Sequence, residues 1–146
     1  MTPHATSAVE STAAIEQARA VVDNFLRLVM IPDPIAARAY TAAEMRIRFT
    51  GGREMREPAD TTAFNAGRYA WVKKRIERTD VVAGASDDEA VVYSVGTLHG
   101  AWPDGTSFEG NRYVDRYVVR GGLITDMDVW NDSAEWLLVR AGLAVA

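Results

Sequence analysis

The chain contains no cysteine, which excludes disulfide frameworks, thiol nucleophiles and cysteine-ligated zinc. Histidine is nearly as scarce: among 146 residues only His4 and His99 carry an imidazole, and His4 sits close to the first residue. Positive charge is in short supply as well. Sixteen Lys and Arg face twenty Asp and Glu, a net charge of −4. That balance argues against a general nucleic-acid binder, whose affinity comes largely from neutralising phosphates. No apolar run approaches the roughly 18 residues that span a membrane. Residues 1–11 lack the basic start and apolar stretch of a secretory signal, so a cytoplasmic location is expected. Also missing are a Gly-rich phosphate loop, a Gly-x-Ser-x-Gly elbow and a His-Glu-x-x-His helix. Neither a metal nor a cofactor is expected.

What is present reads as an ordinary globular chain. Hydrophobic residues make up 48% and charged residues 25%, outside the composition of disorder. With about 100–200 residues per domain as the guide, residues 1–146 form a single domain, with 1–10 expected as a flexible tail. A chain of this length buries roughly 68–70% of its unfolded surface and needs no staple.

Ile15, Ala18, Val22, Phe25, Leu26 and Val29 follow a 3.6-residue period and predict an amphipathic helix. Ser7 and Glu10 have capping-box spacing, with Ser11 and Thr12 as other starts. Asp33-Pro34 opens a short second helix over 35–40. Met45, Ile47 and Phe49 alternate with Arg46, Arg48 and Thr50 as a half-buried strand, and Gly51-Gly52 turns it into a short return strand over 53–57. A third helix is expected over 58–66, stopped by Gly67. Four long strands follow, over 69–83, 89–102, 107–119 and 123–130, rich in β-branched and aromatic residues. A last helix over 133–140 ends at Gly142, with Asp132 as its expected N-cap.

Helices first, then a strand meander, define an α+β fold. Strands this long must twist, so the sheet is expected as a cone: a strongly curved mixed β-sheet wrapped around the N-terminal helices, with a short C-terminal helix. Such a cone leaves a cavity.

The stretch from Gly110 to Ile124, with Tyr113, Tyr117 and the Gly121-Gly122 turn, resembles the penultimate hairpin of SnoaL-like proteins of the nuclear transport factor 2-like superfamily. Asp128-Val129-Trp130-Asn131 is similar to their acidic–aromatic ending, and Thr97-Leu98-His99-Gly100 to a stretch of polyketide-cyclase members. The hairpin also resembles phenazine-biosynthesis A/B-type proteins. The resemblance covers roughly residues 71–138 and implies a cone fold, a pocket at its wide end and a homodimer through the sheet face. Members include isomerases, cyclases, dehydratases, epoxide hydrolases and non-catalytic binders. One departure stands out: five positions after Ile124, where the family places its acid, this chain has Val129, and Asp128 comes one position early.

Asp126 and Asp128 share one strand face by alternation. A two-residue loop at Gly121-Gly122 would set Tyr117 opposite Asp126 and Asp115 opposite Asp128; a three-residue loop would set Arg116 against Asp126. Facing carboxylates raise one pKa and suit acid–base work. His99, on a strand face with Val95 and Thr97, is a candidate proton shuttle. Asp132 is a rival base, its simpler role being the helix cap. Tyr40, Trp71, Tyr117, Trp130 and Asn131 are candidate ligand contacts. Lys73, Lys74, Arg75 and Arg78 read as a solvated edge strand protected from aggregation.

The leading expectation is a cofactor-free enzyme that moves a proton next to a carbonyl on a small, apolar, ring-bearing molecule, giving isomerisation, cyclisation or dehydration. Asp128 or Asp132 would be the base, with His99 and a tyrosine polarising the oxygen. The alternative is a non-catalytic dimeric binding module. An epoxide hydrolase fits poorly, since Asp115 and Arg116 are strand neighbours and point apart.

Overall fold

A computed structural model describes residues 3–146, with side chains from residue 12 onward. The tail expected over residues 1–10, with His4 and the pair Ser7 and Glu10, has side chains outside the described residues. Helix α1 spans Pro3–Met30 and buries Ala18, Val22, Phe25 and Leu26, the stripe its period predicts. Asp33 caps α2 (Pro34–Ala37) by accepting the Ala36 N–H at 3.0 Å, and a 3₁₀ turn, Arg38–Tyr40, completes the expected second helix. Strand β1 (Thr41–Phe49) begins earlier than its clean alternation, because Ala42, Ala43 and Glu44 carry no period-2 signal. A turn at Thr50–Gly52, with Gly51 and Gly52 at φ 76° and 78°, leads into the short β2 (Arg53–Met55).

Pro58 opens α3 (Pro58–Arg68) behind a reciprocal cap between Glu57 and Asp60. The helix runs on through Gly67, which does not stop it: its conformation stays helical and Tyr69 closes the end by bonding Asn65 O. Strands β3 (Trp71–Ala83), β4 (Glu89–Ala101), β5 (Ser107–Arg120) and β6 (Leu123–Asn131) follow, then α4 (Ser133–Arg140).

The six strands lie in the order β2-β1-β6-β5-β4-β3, antiparallel except for the parallel β1–β6 pair. The sheet is therefore mixed and, with α1 packed on one face, α+β as expected. Its sharp curl is written in two glycines of β4. A Cβ on Gly96 would lie 2.0 Å from Arg75 O, and one on Gly100 would lie 2.1 Å from Trp71 O. The β3 backbone crosses where side chains would otherwise stand, next to a bulge between Ile76 and Arg78. The main core lies between α1 and the inner sheet face; a smaller cluster of Tyr69, Leu98, Trp102, Phe108 and Tyr113 fills the other end.

The last hairpin has the two-residue loop, with Arg120 opposite Leu123. A bulge then intervenes: Val119 faces Ile124 and Val118 faces Asp126, leaving Thr125 as the extra residue. One inserted residue reverses every later side chain on a period-2 strand. Ile124, Met127 and Val129 consequently point into the core, and Asp126 and Asp128 point out.

Candidate functional site

The floor of the cone is an open cavity of about 250 Å³ between α1, α3 and the inner sheet face. Its walls are mostly apolar, including Phe25, Leu26, Val29, Phe49, Leu98, Met127 and Val129. Exposed Ile31 and Trp71 mark its mouth. The polar lining comes from Thr61, Thr62, Asn65 and Tyr69 on and just after α3, and from Lys73, Lys74 and Asn131 on the sheet. Among the described residues no Asp or Glu lines it.

Lys74 has a partner behind it. Its Nζ donates to Asp115 Oδ2 at 2.6 Å, and Asp115 is completely buried. Tyr117 donates its hydroxyl to the same Oδ2 at 3.1 Å, whereas Asp115 Oδ1 has no hydrogen-bond partner among the described residues. The ammonium also lies 4.0 Å from the centroid of the Tyr113 ring, a cation–π contact. Both phenols are held protonated. Burial pushes Tyr113 up to about 12, and burial followed by the adjacent Asp115 charge pushes Tyr117 well above the usual tyrosine range. Tyr113 shares a 2.9 Å hydrogen bond with Ser94.

Alternation explains the convergence. Asn111, Tyr113, Asp115 and Tyr117 fall on the inner face of β5, and Asp115 lies directly across from Ser94 on β4 and Val129 on β6. The acid that the family resemblance places at position 129 is absent, and a carboxylate stands instead on the cross-strand neighbour. A second polar knot sits beside it: Ser133 Oγ accepts from Tyr69 at 2.6 Å and from Asn111 at 2.7 Å, while Asn131 Oδ1 accepts the Ser133 N–H at 3.1 Å.

The three expected catalytic residues are not in this cavity. Asp128 lies on the outer face, bonded to Arg48 at 3.0 Å and approached by Arg116 at 3.6 Å, because the Thr125 bulge turned it outward. Although turned outward it is buried, and it lines a second pocket of about 250 Å³ with Arg48, Trp130, Gly51 and Gly52. His99 lies on the β4 face opposite Leu98, pairs across β3 with Lys73 and packs its ring edge-on to Trp71 at 5.7 Å. Asp132 occupies the N-cap position of α4 without capping it. Its carboxylate takes Arg112 Nε at 2.7 Å, a bond that holds it below the usual carboxylate range, and Asn131 serves the helix instead.

Among the expected ligand contacts, Trp71 and Asn131 line the cavity. Tyr117 is core, edge-on to Phe25, and acts through Asp115. Tyr40 packs against the main core, and Trp130 projects from the outer face, 57% exposed. Lys74, read from sequence as part of a solvated strand, is, with the exposed Lys73, one of two cations that line the cavity. Its signal was there: Val72 and Lys74 share one face, and Asp115 stands between two tyrosines on a face otherwise apolar. Among the described residues no cluster of three or more His, Asp or Glu is placed to hold a metal.

No protein-family model matches the chain, and no curated protein matches it by sequence. Solved structures do. An NTF2-like protein of unknown function from Burkholderia pseudomallei superposes with a TM-score of 0.68 at 16% identity, covering 89% of this chain and 98% of the other. A provisionally assigned polyketide cyclase from Xanthomonas campestris gives 0.64 at 17% identity, with 90% and 99% covered. An NTF2-like protein with a cystatin-like fold from Novosphingobium aromaticivorans gives 0.60 at 14% identity, with 78% and 79% covered. The fold is thus the NTF2-like, cystatin-like one, the fold the hairpin resemblance implied.

Proposed function

We propose that this chain is a small-molecule-binding domain whose cavity takes an apolar, ring-bearing ligand and anchors one of its oxygens on Lys74. The observation that carries this reading is the charge arrangement at the cavity floor. Lys74 lines the ligand space, its counter-ion Asp115 is fully buried and outside the lining, and Val129 stands in the wall where an acid was expected. An apolar cavity with few convergent polar groups is how small ligands are held and oriented.

A second reading, proton-transfer turnover of the isomerase or cyclase kind, draws on one feature: the chain Lys74–Asp115–Tyr117, which connects the cavity to a buried carboxylate with a vacant oxygen. The likeness to a polyketide cyclase-type structure points the same way. One experiment separates them. With 2-acetylnaphthalene in D₂O, NMR follows both ligand binding and deuterium exchange at the methyl carbon beside the carbonyl. Binding without accelerated exchange is the expected outcome. Exchange that is accelerated and lost in Lys74→Met establishes turnover, and absence of binding overturns both readings.

A further inference from the structure

The kind of ligand oxygen can be read from the donors that meet it, granting the binding reading above. Three sheet residues with side-chain donors line the cavity, the exposed Lys73 and the half-buried Lys74 and Asn131, and the last two are the ones withdrawn from solvent. Lys74 lines the cavity and its Nζ gives one hydrogen bond, to Asp115 Oδ2; an ammonium carries three donors, so donor capacity remains for a ligand. Asn131 is the cross-strand neighbour of Tyr113, whose ring lies under Nζ, so the register brings both donor residues to the same stretch of the inner face. The bond from Ser133 N to Asn131 Oδ1 fixes which end of the amide is which and leaves Nδ2 as its donor end. The described residues lining the cavity include no carboxylate, in a chain where acids outnumber bases. Because Asp115 is fully buried behind Lys74, the cavity meets the positive end of the pair.

We propose that the ligand is an apolar monocarboxylate, its two oxygens shared between Lys74 Nζ and Asn131 Nδ2 and its hydrocarbon body lying against Phe25, Leu26, Met127 and Val129. A carboxylate satisfies both donors at once through charge-assisted hydrogen bonds. A ketone oxygen offers neither the charge nor the second acceptor atom, and closing the cavity over it leaves donors unpaired.

The test is isothermal titration calorimetry at neutral pH with two probes that share one ring body, naphthalene-2-carboxylate and 2-acetylnaphthalene. The carboxylate should bind at least about tenfold more tightly. Asn131→Asp keeps an acceptor for the Ser133 N–H but replaces the donor with a negative charge, so it should invert the order. Should N131D fail to fold, the preference of the unaltered protein decides alone. Equal affinities, or a preference for the ketone, overturn the carboxylate assignment and leave the cavity reading standing. An unchanged preference in folded N131D overturns it too, by removing Asn131 from the anchor. If neither probe binds, the cavity reading itself falls.

Discussion

Lys74→Met should be one of the most damaging single substitutions in this chain, although lysines on strands are usually replaceable. The side chain of Lys74 is 16% exposed and that of Asp115 is 0% exposed. Removing the ammonium leaves a buried carboxylate with one hydrogen bond, from Tyr117 to Oδ2, and nothing on Oδ1. Breaking a buried pair in this way typically costs about 3–5 kcal/mol. For a domain of this size each kcal/mol shifts Tm by roughly 2–4 °C, so a fall of about 6–20 °C is expected. The double variant Lys74→Met with Asp115→Leu removes both charges and should recover to within about 1–2 kcal/mol of the parent, since apolar replacement of a whole buried pair is often neutral. Urea unfolding of the parent, both single variants and the double variant closes the cycle. Additive losses, or a Lys74→Met cost below the ~1 kcal/mol of a surface pair, would refute a buried, charge-balanced Asp115. Arg75–Glu109, with side chains 60% and 70% exposed, is the surface control.

Gly96→Ala should destabilise by roughly 2–3 kcal/mol or more, read by the same unfolding assay, because its Cβ meets Arg75 backbone rather than a flexible side chain. His99→Ala and Asp128→Asn should each leave the affinity for 2-acetylnaphthalene within about twofold, as neither side chain reaches the cavity. Glu89 is held below the usual glutamate range, first by the Ala85 N–H and then by Arg120. A depressed carboxylate contributes stability that is present above its unfolded value, about 4.5, and is lost as pH falls through the folded one. Unfolding followed from pH 7 to pH 3 should therefore show a shallower acid loss in Glu89→Gln than in the parent.

Much of the architecture was legible because it rests on local chemistry. Pro58 starts α3 as expected, the Gly121-Gly122 pair makes a turn in the two-residue form, one of the two the sequence leaves open, and the helix over Ser133–Arg140 matches its expected bounds. The site was less legible, for one physical reason. Thr125 sits in the β6 bulge without a glycine or proline to announce it, and a single extra residue moves Asp126 and Asp128 from the inner face to the outer one. The residue that gains the inner position, Val129, lies across from Asp115, so the inner-face carboxylate stands on β5 and not on β6. Lys74 was hidden by company: Lys73 and Arg75 on either side are exposed, and only the strand's curl shows that the middle cation turns inward. His99 looked catalytic because its strand face is apolar, yet that face is the outside of the cone.

The most direct test of the account is a crystal structure of the chain with naphthalene-2-carboxylate bound. The account places the ring among Phe25, Leu26, Met127 and Val129, with an oxygen within hydrogen-bonding distance of Lys74 Nζ. A ring seated instead in the second pocket beside Asp128 and Trp130, or an oxygen directed away from Lys74, would contradict it.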